Sequence, residues 1–200
     1  HISNAVDPEQ TGNPVFGAPA DLTAYILEPV EGITDKKRPA VLLCPGGGYH
    51  KLSGREDQPI AMKYLAAGFH VFVLHYSLVP DVFPRALMEL ALSMKLIREH
   101  GNEWNVDVKR IAVSGFSAGG HLACCLGTFW NKEWLYKALE VKPEMIQPNG
   151  MILCYPVITS EEYCHKGSFE CLMGTEASKK DVELRRLLSL EYQVGPQVPK

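Results

Sequence analysis

The chain has 200 residues, 46% of them hydrophobic and 22% charged, with a net charge of −3 and a pI near 6.2. That balance describes one soluble globular domain and gives no electrostatic ground for a nucleic acid or an anionic membrane as partner. No window approaches the roughly 18 consecutive apolar residues of a membrane span, and the first residues lack the basic flank and apolar core of an export signal.

The chain starts at His1 rather than Met, so a removed upstream signal stays open. The six cysteines, Cys44, Cys124, Cys125, Cys154, Cys164 and Cys171, are even in number, which would allow disulfides in a secreted protein. Four lie in apolar runs, Cys124 and Cys125 are adjacent, and no pair has metal-ligand spacing. Buried free thiols, no metal and a reducing, cytoplasmic compartment are the expectation.

Residues 1–21 contain Pro8, Gly12, Pro14, Gly17 and Pro19 and are expected to form an irregular surface arm. The rest, 22–200, reads as one α/β domain. Leu22 to Leu27 alternates as a strand should and stops at Pro29, before a polar turn through Lys36, Lys37 and Arg38. Ala40 to Cys44 is a continuous apolar run, suited to a strand covered on both faces, and leads into Pro45-Gly46-Gly47-Gly48-Tyr49-His50.

Consecutive glycines leave backbone N–H groups unobstructed, which is what an oxyanion hole requires. A plain glycine turn or a phosphate cradle are the other readings. A phosphate loop would continue Gly-Lys-Ser/Thr, and Tyr49-His50-Lys51 does not supply it.

Gln58 to Ala67 has helical composition and ends at Gly68, Phe69 to His75 is the next strand, and Arg85 to His100 carries apolar residues at helical spacing. Ile111, Ala112 and Val113 then form a short apolar strand, Gly115-Phe116-Ser117-Ala118-Gly119 is a Gly-x-Ser-x-Gly turn, and an apolar helix-forming stretch follows. Strand, tight turn and helix are the context of a nucleophile elbow. Such a turn holds its serine in a strained conformation clear of the sheet, and Gly115 and Gly119 supply the clearance. Ser117 is the candidate nucleophile, and the N–H of Ala118, at the helix start, is a candidate oxyanion donor.

Gly150 to Cys154 is another apolar strand, ending at Tyr155-Pro156. Strands and helices alternate, which predicts a mostly parallel sheet with helices on both faces and a ligand site beyond the carboxyl ends of the strands. Residues 159–188 break the alternation with more charge, as a small cap would, and Asp181 to Leu188 reads as helix.

With these motifs placed, the sequence resembles the α/β-hydrolases, and among them the bacterial esterases labelled acetyl xylan esterase or xylanase-like carbohydrate esterase. The resemblance rests on Cys44 to Tyr49, Gly115 to Ala123, Tyr155 to Thr159 and His165 to Phe169. It implies acyl transfer on a small ester, plausibly an acetylated sugar, without cofactor: Ser117 attacks the carbonyl, and the N–H groups of Gly47, Gly48 and Ala118 receive the oxyanion. Tyr49 and His50 are the expected pocket walls. Pro45 stands where related lipases carry a histidine, which leaves the glycine donors intact.

The fold's order of Ser, then acid, then His is not filled after Ser117. His121 lies in the helix behind the elbow and reads as a packed or hydrogen-bonded residue; His165, with Glu161 and Glu162 close by, reads as part of the cap; Asp181 has no histidine after it. His75 reads as a strand-end residue. The resemblance implies two further strands carrying the acid and the histidine, so the expectation is a truncated esterase with an exposed sheet edge beside Gly150 to Cys154. A peptidase of the same fold and a silent scaffold that binds a ligand or partner are the alternatives. A glycosidase would need two facing carboxylates, and none can be picked out.

Overall fold

The computed structural model describes residues 2–5, 20–29 and 37–199. Its centre is a six-stranded sheet built from β1 (Ile2–Ala5), β2 (Asp21–Tyr25), β3 (Arg38–Cys44), β4 (His70–His75), β5 (Val106–Phe116) and β6 (Gly150–Cys154), in the order β1-β2-β4-β3-β5-β6. β4, β3, β5 and β6 run parallel, whereas β1 and β2 are antiparallel to their neighbours.

Side-chain alternation explains why helices cover both faces. Along β3, Ala40, Leu42 and Cys44 enter the larger core with Phe72 and Leu74 of β4, while Val41 and Leu43 enter a smaller one with Val71 and Val73. Helix α1 (Gln58–Ala66) closes the smaller core through Ala61, with Ile60, Tyr64 and Leu65 packed against it. Helices α2 (Arg85–Glu99) and α3 (Ala118–Phe129) close the larger one. α3 carries no charged residue and is buried along its whole length.

One sequence expectation needs correction. Residues 2–5 are not irregular: Ile2 to Ala5 pair antiparallel with Asp21 to Ala24. The outer edge of β2 offers a row of N–H and C=O groups that a short extended segment satisfies, and four residues carry too little pattern to be read beforehand. Residues 6–19 of the expected arm lie outside the described residues. Short helices α4 (Glu133–Ala138), α5 (Pro143–Ile146), α6 (Lys166–Met173) and α7 (Thr175–Lys180) were equally below what periodicity resolves.

The segment read as a cap is α6, α7 and α8 (Val182–Leu188), followed by a 3₁₀ turn at Leu190–Tyr192. Phe169, Leu172, Met173, Leu188 and Leu190 of this segment join the larger core. β6 is the last strand of the described sheet, and Ile152 on it is 38% exposed. Among the described residues no helix is long and apolar enough to cross a membrane. The six cysteines are free; Cys44, Cys124 and Cys125 are buried and the others half-buried.

Candidate active site

The turn from β5 into α3 puts Ser117 at φ 52°, ψ −118°, a left-handed conformation that a residue with a β-carbon seldom adopts. Its neighbours force that shape. A β-carbon on Gly115 would sit 2.1 Å from the carbonyl oxygen of Gly119, and one on Gly119 would sit 2.2 Å from the oxygen of Cys44 and 2.4 Å from that of Pro45. Only backbone fits on either side of the serine. Ser117 is also held from β6: its N–H donates to the Cys154 oxygen at 3.0 Å, and its carbonyl accepts from the N–H of Val157 at 3.2 Å and of His121 at 3.0 Å.

The glycine loop after β3 lies against this turn. A β-carbon on Gly46 would stand 3.1 Å from that of Ser117. Gly47 and Gly48 have φ values of 134° and 69°, and the carbonyl of Gly47 accepts from the N–H groups of His50 and Lys51 at 3.3 Å each. Among the described residues the N–H groups of Gly47, Gly48 and Ala118 have no acceptor. These three donors are unspent.

Two contacts hold the loop from outside. The Tyr76 hydroxyl donates to the Pro45 oxygen at 2.7 Å. Glu56 accepts from the Gly46 N–H at 2.8 Å through Oε2 and from the Tyr155 hydroxyl at 2.7 Å through Oε1. The bond to Glu56 holds the Tyr155 phenol in its protonated form, raising its pKa to about 12. Sequence reading missed Glu56, which stands ten residues past Gly46 in no recognisable motif.

Tyr49, an expected pocket wall, packs into the protein. It is 3% exposed, stacks edge-on against Tyr76 and His121, and donates its hydroxyl to His121 Nδ1 at 2.9 Å. His121 Nε2–H in turn donates to the Leu188 oxygen at 2.9 Å. Burial lowers the His121 pKa to about 4, so the ring is neutral with both nitrogens engaged. His50 is exposed beside Gly48, with its Nδ1 2.9 Å from where a Gly48 β-carbon would be.

The remaining described histidines serve other contacts. His165 caps α6, its Nδ1 accepting from the Ser168 hydroxyl at 2.8 Å. His75 lies between Asp21 and Asp57, at 3.1 and 2.7 Å. His70 bridges Leu27 and Asn105, and His100 pairs with Glu103. Asp181 caps α8. Among the described residues no histidine bonds the Ser117 hydroxyl, and no cluster of three His, Cys, Asp or Glu could hold a metal. Burial pushes the Cys44 and Cys125 thiols up and Cys124 to about 11, so none is a ready thiolate nucleophile.

The BD-FAE profile matches residues 29–157, a span that holds the glycine loop, the elbow and β6. The chain belongs to the BD-FAE family. An endo-1,4-β-xylanase B of Butyrivibrio fibrisolvens is 33% identical to this BD-FAE chain over 192 residues, 92% of this chain and 28% of that protein. An acetylxylan esterase of Xylanibacter ruminicola is 30% identical over 142 residues, 70% of this chain and 27% of that protein. The chain therefore spans under a third of these curated relatives. The crystal structure of an acetyl ester-xyloside bifunctional hydrolase from Caldicellulosiruptor lactoaceticus superposes with a TM-score of 0.78 at 33% identity, covering 96% of this chain and 66% of that one. The BD-FAE chain thus has the α/β-hydrolase fold.

Proposed function

We propose that the protein is a serine carboxylesterase that hydrolyses short-chain acyl esters, acetyl esters of xylan-type sugars foremost, through an acyl-enzyme at Ser117. The observation that carries this reading is the strained Ser117 lying against a glycine loop in which the N–H groups of Gly47 and Gly48 are unspent. The names of the relatives, an acetylxylan esterase and an acetyl ester-xyloside hydrolase, supply the substrate class.

In this reading Ser117 Oγ bonds to the ester carbonyl carbon as its proton passes to a base, and the carbonyl oxygen takes the negative charge among the N–H groups of Gly47, Gly48 and Ala118. Collapse expels the alcohol, which takes a proton, and leaves acyl-Ser117. Water then adds to the same carbon, releasing the carboxylic acid and restoring the serine. Elbow glycines Gly115 and Gly119 keep the nucleophile in place. The α6 to α8 segment serves as a cap, and the six free thiols fit a cytoplasmic setting.

A second reading is a silent scaffold that binds a ligand. It is favoured by one observation: among the described residues no histidine bonds the Ser117 hydroxyl. A fluorophosphonate probe followed by peptide mapping separates the two. Labelling of Ser117, lost in Ser117→Ala, supports the esterase; an unlabelled Ser117 supports the scaffold.

A further inference from the structure

Glu56 ends a 3₁₀ turn at Gly54–Glu56, outside every motif that marks the site. Its two carboxylate oxygens are divided between the two segments that flank Ser117. Oε2 takes the N–H of Gly46, the first residue of the glycine loop, at 2.8 Å. Oε1 takes the hydroxyl of Tyr155, the first residue after β6, at 2.7 Å.

Each partner is built for this bond. A β-carbon on Gly46 would lie 2.6 Å from Oε2, so only glycine lets the carboxylate approach. Tyr155 has φ 37°, a strained value for a residue with a side chain, and its ring packs edge-on against Phe116 at 5.7 Å. On either side of Tyr155, Cys154 and Val157 hold the backbone of Ser117. The turn itself is fastened to the loop, because the Ser53 N–H donates to the Gly46 oxygen at 2.8 Å and the Glu56 N–H to the Ser53 oxygen at 3.0 Å.

A carboxylate beside an oxyanion hole disfavours the negative charge of the transition state. Its two short bonds give it a geometric use instead. We propose that Glu56 is a positioning residue: by bridging Gly46 and Tyr155 it fixes the distance between the oxyanion donors and Ser117. The proposal rests on the esterase reading. It assigns Glu56 no contact with substrate.

The charge is dispensable in this role and the two bonds are not. A glutamine keeps both, its oxygen accepting from Gly46 and its amide donating to a reversed Tyr155 hydroxyl. An alanine keeps neither, and Tyr155→Phe removes one.

The test compares wild type, Glu56→Ala, Glu56→Gln and Tyr155→Phe for kcat and KM on an aryl acetate, for the rate of fluorophosphonate labelling at Ser117, and for amide exchange of the 45–50 loop, with Tm as control. Glu56→Ala is expected to lower kcat and the labelling rate about 100-fold, with KM changed by less than about threefold and faster exchange confined to the loop. Glu56→Gln should recover most of the rate, and Tyr155→Phe, an exposed ring losing one hydroxyl, should lose about tenfold. If wild type labels at Ser117 and Glu56→Ala labels as fast, or if the losses track only the unfolded fraction, the positioning role is wrong while the esterase reading stands. If wild type leaves Ser117 unlabelled, the esterase reading fails and the proposal falls with it.

Discussion

Gly46 leaves no room for a side chain against Ser117: a β-carbon on the glycine would stand 3.1 Å from that of the serine, and 2.6 Å from the carbonyl oxygen of Phe116. Gly46→Ala must push the loop off the elbow, because the Phe116 oxygen belongs to a buried strand and cannot yield. We expect kcat on an aryl acetate to fall about 100-fold or more, a loss of the size seen when an oxyanion donor is displaced. Steady-state kinetics on the folded variant check it.

Glycines of the same sequence should differ sharply in what they tolerate. Gly119→Ala sets a β-carbon 2.2 Å from the Cys44 oxygen and 2.4 Å from the Pro45 oxygen, and should cost about 3 kcal/mol. Gly54→Ala meets nothing within 4 Å and should stay within about 0.5 kcal/mol of wild type. Urea midpoints of the two variants decide the matter.

Tyr49 and His121 form a buried pair, and Tyr49→Phe would leave His121 Nδ1 only the weak Cys125 thiol, 3.7 Å away, as donor. That should cost about 1–3 kcal/mol. Because the folded His121 pKa is depressed to about 4, its contribution is full above the unfolded value near 6.5. It is lost as pH falls from there toward 4. Denaturant titrations of wild type against His121→Gln should show the acid slope shrink in the variant.

His75 carries the opposite sign. Half-burial lowers its pKa, but bonds to Asp57 and Asp21 outweigh that and raise it overall. Its contribution is therefore full below the unfolded value and is lost as pH rises through the folded one. His75→Gln should cost up to about 1 kcal/mol in mildly acidic solution and less in alkaline solution. A penalty that grows with pH would contradict the ion-pair assignment.

Much of the sheet was legible in the sequence because parallel strands read as apolar runs. Ala40 to Cys44, buried throughout, and Gly150 to Cys154, half-buried except for the exposed Ile152, are found where those runs lie. The tight turn at Ser117 was legible because its sterics are local: Gly115 and Gly119, each within two residues of Ser117, leave no room for a β-carbon. The bond from Tyr49 to His121 was not legible, since the place of Tyr49 beside the glycines says nothing of a partner 72 residues on. Glu56 was invisible for the same reason, with Tyr155 99 residues away. Bonds between distant side chains leave no periodicity.

Acyl transfer to Ser117 is tested most directly by quenching the protein during turnover of an aryl acetate and mapping the acetyl group by mass spectrometry, with Ser117→Ala alongside. The expected result is acetate on the peptide holding Ser117, with turnover in the variant reduced to the residual rate that binding and oxyanion donors alone support, about 10³–10⁴-fold over water. Acetate on another residue, or a Ser117→Ala variant that turns over at the wild-type rate, would contradict it.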